Sequence, residues 1–267
     1  MSKRNTPLRR HAILALLAEQ GEVSVDALAR RFETSEVTIR KDLTALERNG
    51  LLLRRYGGAV PVPQELVAEP GASVSPYKLA IGRAAAACIR EHARIIVDSG
   101  STTAAMIAAL GRKPGLVVMT NSLSVANALR ELEDEPVLLM TGGTWDPHSE
   151  SFQGQVAEQV LRSYDFDQLF IGADGIDLER GTTTFNELLG LSRVMAEVAR
   201  EVIVMAEADK FGRRIPNLEL PWGRIHTLIT DERLPDTLYE RLRQRGVRVI
   251  RAALDHPNQE TPACVAS

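Results

Sequence analysis

The sequence is short of cysteine, of aromatic residues and of long apolar runs, and each shortage excludes a class of protein. Its two cysteines, Cys88 and Cys264, lie far apart in 267 residues, the first in an alanine-rich helical stretch. They cannot build a disulfide framework, and a reduced, cytoplasmic chain is expected. No apolar run approaches the roughly 20 residues of a membrane span. The basic start MSKRNTPLRR lacks the apolar core of a secretory signal, so no membrane partner is expected. The five histidines (His11, His92, His148, His226 and His256) are scattered, without an i, i+4 pair or a cysteine at ligand spacing. No metal is expected from them. GxGxxG, GxSxG and GxxxxGK[ST] are all missing, and no cofactor or catalytic residue is assigned.

What is present is ordinary globular material, 44% hydrophobic and 25% charged, enough for one to three domains. Its charge is unevenly spread. Residues 1–60 hold eleven Lys/Arg against seven Asp/Glu, net +4, and the remainder twenty-one against twenty-eight, net −7. A basic head on an acidic body points to a polyanionic partner for the head.

Within the head, residues 6–21 read as a helix closed by Gly21. SVDALARRF reads as a second helix with Ser24 as N-cap. TSEVTIRKDLTALERNG reads as a third, from Thr34 or Ser35 to Gly50, with Ile39, Leu43 and Leu46 at i, i+4, i+7 forming its buried stripe. A tight segment around Glu33–Ser35 joins the last two helices into a helix-turn-helix. That motif puts the start of its second helix in the major groove of DNA. The DNA-contacting candidates there are Ser24, Ser35, Glu36, Thr38, Arg40 and Lys41. In LLLRRYGGAV a small hairpin, or wing, carries Arg54, Arg55 and Tyr56 toward the phosphate backbone. A generic amphipathic three-helix bundle with solvated charges would satisfy the same spacing. The run VSVDALARRFETSEVTIRKDLTALERNGLLLRRYGGAV, however, resembles the N-terminal signature of the DeoR family of bacterial repressors: LAxxF, TIRKDL, LExxG and RxYGG stand in order.

PVPQELVAEPGASVSP reads as a linker, within boundaries of 1–59 for the head, 60–76 for the linker and 77–254 for the second domain. The last residues, 255–267, are expected to be a disordered tail. In the second domain seven β-rich runs (93–98, 116–120, 136–143, 167–174, 201–207, 226–230 and 247–252) alternate mostly with helical stretches. This pattern predicts a mainly parallel sheet covered by helices. Such sheets bind ligands beyond the carboxyl ends of their strands. Those ends hold DSGSTT, TNS, TGGT and GADGID, with FNE and DK nearby. Turn amides and hydroxyls suit phosphate oxygens; Asp, Asn and Glu suit sugar hydroxyls; Lys210 offers a cation.

This region resembles the sensor domain of the same family, similar in fold to ribose-5-phosphate isomerase and glucosamine-6-phosphate deaminase. The likeness implies a sugar-phosphate loop at Asp98, Ser99, Gly100, Ser101, Thr102 and Thr103, flanked by Thr120, Asn121 and Ser122. Gly142, Gly143, Asp174, Gly175, Glu187 and Lys210 would complete the pocket. Within the family, TNSLSVANAL and ADGIDLERGTTTFNE resemble the glucitol-operon repressor and regulators of glucosamine-6-phosphate synthase expression. The resemblance implies a repressor of sugar or amino-sugar genes, binding operator DNA as a homo-oligomer (dimer or tetramer) under control of a phosphorylated sugar. Asp174, Asp177, Glu187 and Lys210 are also the residue types of carbonyl-adjacent proton transfer, so an isomerase-like enzyme with an accessory DNA-binding head stands as the alternative. Trp145 and Trp222 are expected to cover the core or a subunit contact.

Overall fold

The computed structural model describes residues 6–48, 51–55, 57–61, 74–147, 149–184, 189–213, 215 and 217–254. They fall into two compact units, Met1–Ser73 and Val74–Ser267.

The first unit contains helices α1 (Thr6–Gln20), α2 (Val25–Arg31) and α3 (Glu36–Arg48). A small antiparallel sheet of β1 (Val23–Ser24), β2 (Leu53–Arg55) and β3 (Gly58–Val60) accompanies them, in the order β1-β3-β2. Its caps follow the sequence chemistry. Ser24 Oγ accepts the Ala27 N–H at 3.1 Å, and Ser35 Oγ accepts the Thr38 N–H at 3.2 Å, each filling one of the donors a helix start leaves over. Ile39, Leu43 and Leu46 are buried with Ile13, Leu17 and Leu28. The β1 strand was not legible, because two residues show no alternation. Its presence explains Gly58: a Cβ there would stand 2.2 Å from the Val23 carbonyl oxygen.

The buried stripe of α3 also contains a charge. Asp42 is 2% exposed and receives Arg9 Nε at 2.6 Å and Arg10 Nε at 2.9 Å. Two arginines of α1 thus close on one carboxylate of α3, fixing the helix that carries Arg40 and Lys41. Breaking such a pair from one side costs about 3–5 kcal/mol, because the other charge stays buried. Asp42→Ala is therefore expected to lower the melting temperature of the first unit by many degrees in far-UV circular dichroism. An unchanged first transition would show that Asp42 is not what holds α1 to α3.

The second unit is built on a seven-stranded parallel sheet ordered β15-β14-β12-β9-β4-β5-β6. Its strands are β4 (Arg94–Val97), β5 (Val117–Thr120), β6 (Val137–Met140), β9 (Phe166–Ile171), β12 (Ala199–Met205), β14 (Thr227–Asp231) and β15 (Arg248–Ala252). Each overlaps one of the seven β-rich runs of the sequence, with β9 and β12 starting one and two residues earlier and β14 ending one later than expected. Helices α4 (Pro76–Ala87), α5 (Ser101–Ile107), α6 (Leu123–Arg130), α7 (Gln155–Arg162), α8 (Gly190–Val198) and α9 (Asp236–Gln244) accompany them. Both faces of the sheet are apolar. Ile95, Val97 and Phe170 belong to one buried cluster, and Ile96, Leu169 and Ile171 to the other. That is why the strands read as continuous apolar runs.

Two features are additional to the expected parallel sheet. A hairpin of β7 (Thr144–Asp146) and β8 (Ser151–Gln153) follows β6, and an antiparallel sheet forms from β10 (Gly175–Asp177), β11 (Gly181–Thr184) and β13 (Asn217–Pro221). The segments TWD, SFQ, GID and GTTT are too short or too polar to announce strands, and the alternation in NLEL spans only four residues. The expected linker is also shortened at both ends, since β3 runs through Val60 and α4 starts at Pro76. Residues 62–73 and the expected tail, 255–267, lie outside the described residues.

Candidate functional site

The strand order fixes where a ligand site can form. The chain starts in mid-sheet at β4, moves outward through β5 and β6, returns past β4 to β9, and then moves outward the other way through β12, β14 and β15. The reversal lies between β4 and β9, and such switch points open a crevice at the strands' carboxyl ends. Asp98 follows β4 at this point, its N–H bonded to the Phe170 carbonyl at 3.0 Å. Asn121 follows β5, donating from Nδ2 to Asp98 Oδ1 at 2.9 Å and accepting the Ser99 N–H at 3.0 Å. Asp174 follows β9 and accepts from Thr184 Oγ1 at 2.6 Å.

Beyond Asp98, Gly100 at φ 133° turns the chain into α5. The first α5 bond runs from the Ala104 N–H to the Gly100 carbonyl at 3.0 Å, so the amides of Ser101, Thr102 and Thr103 precede it, lacking acceptors within the helix. The cation absent after this turn arrives from upstream. Lys78 of α4 donates from Nζ to Ser101 Oγ at 3.0 Å. Packing puts it there: a Cβ on Gly82 would meet the Ala105 backbone at 2.7 Å, so only glycine lets α4 rest on α5. One helical turn earlier on each helix, Lys78 meets Ser101. A lysine 23 residues before the turn it serves has no motif to reveal it.

The structure divides the expected pocket residues. Asp98, Ser99, Ser101, Asn121 and Asp174 gather at the switch point. Other side chains shape the turns instead. Thr103 Oγ1 bonds the Gly100 carbonyl at 2.8 Å, Thr120 Oγ1 accepts the Ser122 N–H at 3.1 Å, and Ser122 Oγ accepts the Val125 N–H at 3.4 Å as the cap of α6. Thr102 is buried. Gly142 and Gly143 form the turn into the β7–β8 hairpin, which joins the site through the Phe152 N–H on the Asn121 carbonyl at 2.8 Å. Gly175 lies in β10 with the Arg213 carbonyl packed against it. Lys210 is buried and donates to the Ala173 carbonyl at 2.7 Å, holding the loop that presents Asp174. Glu187 lies outside the described residues. Asp177 is taken up by its own turn: it accepts the Glu179 and Arg180 N–H groups and Arg180 Nε, which lower its pKa to about 2. Trp222 is buried and donates to the Asp177 carbonyl, whereas Trp145 is exposed, edge-on to Phe152.

One group was missed altogether. Glu219, in β13, is 8% exposed and bonded by Ser192 Oγ at 2.9 Å and Thr182 Oγ1 at 3.3 Å. Burial, reinforced by the negative charges of Asp98 and Asp174, raises its pKa to about 8. Asp98 rises to about 6 through burial, opposed by the Asn121 hydrogen bond. Among the described residues no cluster of three or more His, Cys, Asp or Glu is arranged to hold a metal. The site thus joins a glycine- and hydroxyl-rich turn with a lysine to the carboxyl groups of Asp98, Asp174 and Glu219.

On the first unit, Glu36, Arg40 and Lys41 are exposed at the start of α3, with Glu36 and Arg40 paired at 2.8 Å. Lys41 makes no ion pair among the described residues. Thr38 Oγ1 shares a hydrogen bond with Ser35 Oγ. Arg54 is drawn onto α3 through Thr44 Oγ1 at 2.9 Å, and Arg55 pairs with Glu22 at 3.3 Å. The Ser24 hydroxyl is engaged as the α2 cap, and Tyr56 lies outside the described residues.

The raised Glu219 has a measurable consequence. Its folded pKa of about 8 exceeds its ordinary 4.5, so between these values the folded state holds a proton the unfolded state has released. Its contribution to stability is complete below about pH 4.5 and is lost as pH rises through 8. Glu219→Gln, which mimics the protonated acid, is expected to flatten the fall in stability over that window. Urea unfolding from pH 5 to 8.5 would show it, and an unaltered slope would place the proton elsewhere.

Comparison with known proteins agrees with this architecture. Residues 9–65 match the DeoR-like helix-turn-helix domain and residues 74–232 the DeoR C terminal sensor domain. A protein of Escherichia coli O157:H7 named as an aga operon transcriptional repressor is 41% identical over 252 residues, covering 92% of this chain and 93% of its own. The HTH-type transcriptional regulator GlpR of Haloferax volcanii is 31% identical over 247 residues, covering 91% and 96%. Among solved structures, ribose 5 phosphate isomerase A from Neisseria gonorrhoeae aligns with 51% of this chain and 53% of its own, at 17% identity and a TM-score of 0.37. With a helix-turn-helix unit and a sensor unit both matched, the chain belongs to the DeoR family of transcriptional regulators.

Proposed function

We propose that the sensor unit binds a phosphorylated sugar and that this ligand sets the affinity of the first unit for operator DNA. The observation that carries the reading is the pairing of Lys78 with the Ser101 hydroxyl beside first-turn amides, at the switch point of the sheet. The phosphate lies against Ser99, Ser101 and Lys78. The sugar hydroxyls face Asp98, Asn121, Asp174 and Glu219, whose oxygens are suited to accept from them. Arg40 and Lys41 on α3 contact base edges and phosphates, with Ser35 and Thr38 at the helix start and Arg54 and Arg55 on the wing. The chain acts in the cytoplasm as a homo-oligomer whose heads read paired half-sites, and it regulates sugar or amino-sugar genes without acting as an enzyme. The locked turn of Asp177 takes that residue out of the proton-transfer set, because a carboxylate held at low pKa makes a poor base near neutral pH. The match to regulators along nearly the whole chain supports the binding role.

Fluorescence anisotropy on upstream DNA, titrated with sugar phosphates and their unphosphorylated parents, tests the reading. Tight, salt-sensitive binding that one phosphate ester specifically changes is expected; operator binding indifferent to every ester would remove the sensing role. Arg40→Ala is expected to weaken operator binding by about 1–3 kcal/mol if it reads a base, and unchanged affinity would take it off the contact surface. Lys78→Ala is expected to abolish the ester response while sparing basal DNA binding. A retained response would move the phosphate away from Ser101.

A further inference from the structure

Besides the Ser101 hydroxyl Lys78 has a negative neighbour, and that neighbour touches the point where the chain enters the sensor unit. Glu207 follows β12 and is 8% exposed. Its Oε2 stands 3.9 Å from Lys78 Nζ. Its Oε1 accepts from Ser75 Oγ at 2.8 Å and lies 3.7 Å from Arg233 Nη2. The same Arg233 covers the Tyr77 ring at 3.7 Å and is anchored on the fully buried Asp231 at 2.6 Å. Ser75 is the N-cap position of α4, with Val74 between it and the 62–73 segment that leads from the first unit in the sequence. One carboxylate therefore touches both Lys78, which reaches the proposed phosphate turn, and Ser75, which receives the chain from the head.

We propose that Glu207 is a positioning residue that couples the effector turn to the linker, an inference that rests on the sensing role above. Lys78 is one cation between two anionic demands. Its distance to Glu207 is at the limit of an ion pair, while it already hydrogen-bonds Ser101. A phosphate ester at the turn adds negative charge on the Ser101 side and draws the ammonium toward it. Glu207 then loses a counter-charge at Oε2 and is left to Ser75 and Arg233 at Oε1. Because α4 sits on α5 at Gly82 with no side chain between them, it answers a pull at its first turn as a unit. Ser75 moves with it, and the linker leaves the sensor from a new position.

Glu207→Gln keeps an oxygen acceptor for Ser75 and removes the charge that competes for Lys78; Ser75→Ala keeps the charge and removes the link to the linker. Both are made in the full chain. Operator binding is read by anisotropy, and ligand binding separately by calorimetry. The probes are glucosamine 6-phosphate, glucitol 6-phosphate, fructose 6-phosphate and inorganic phosphate. In both variants the active probe is expected to bind, and ligand-free operator affinity to stay, within about threefold of wild type. The ligand-induced change in operator affinity, typically about 5–150-fold in coupled systems, is expected to fall below about twofold. Full coupling in either variant overturns the proposal. So does loss of probe binding in Glu207→Gln, which would make Glu207 part of the pocket. If wild type answers none of the probes, it is the sensing role that fails first, and this inference falls with it.

Discussion

The contact between Gly82 and the Ala105 backbone is what the sensor site depends on. Helices usually meet through side chains at 8–10 Å between axes, and a Cβ at position 82 would force α4 back toward that distance. Without it α4 lies directly on α5, and its first turn falls over the start of the Asp98–Thr103 turn. Lys78 reaches Ser101, and Ser75 and Tyr77 reach Glu207 and Arg233. The site's cation and the chain's entry to the sensor are thus positioned by the same glycine. A packing requirement with no chemistry of its own decides where the chemistry sits.

The charges at the two ends of the crevice are matched unequally. At the Asp98–Thr103 turn, Lys78 and the first-turn amides provide positive potential, with Glu207 and Asp98 as negative neighbours. At the other end the charges of Asp98 and Asp174 add to burial in raising the pKa of Glu219, and the Lys210 ammonium is directed to the Ala173 carbonyl. A ligand with an anionic group at one end and several hydroxyl donors at the other fits this polarity in one orientation. A plain dianion would fill half of it.

How far the sequence disclosed this follows from which physical signals are local. The seven sheet strands were legible because both faces of a parallel sheet are buried, leaving consecutive apolar residues such as Ile95–Val97 and Leu169–Ile171. The recognition helix was legible because Ile39, Leu43 and Leu46 keep helical spacing and Ser35 caps it. Asp98 and Asn121 were legible because their turns follow strands directly. Lys78 was not, because its partner lies on another helix and no short motif spans the interval. Glu219 lies between Leu218 and Leu220 in a strand whose partner β11 reads as a threonine-rich loop, so neither its burial nor its company can be inferred from its neighbours. Asp42 looks like one more charge on a surface helix until Arg9 and Arg10 are seen to meet on it.

Asp42 and Glu219 show two ways of burying a carboxylate, and the difference separates scaffold from site. Asp42 meets two guanidinium groups at ordinary hydrogen-bond distances, so its charge is compensated and the helix pair is fixed. Glu219 is bonded among the described residues by two hydroxyls, near the charges of Asp98 and Asp174, and burial drives it toward its neutral form. Buried acids left in such tension cluster where proteins bind or react, since a structural role alone is served better by the arrangement at Asp42. The sensor unit keeps Glu219, a buried acid bonded by two hydroxyls, beside the acids at the switch point of the sheet.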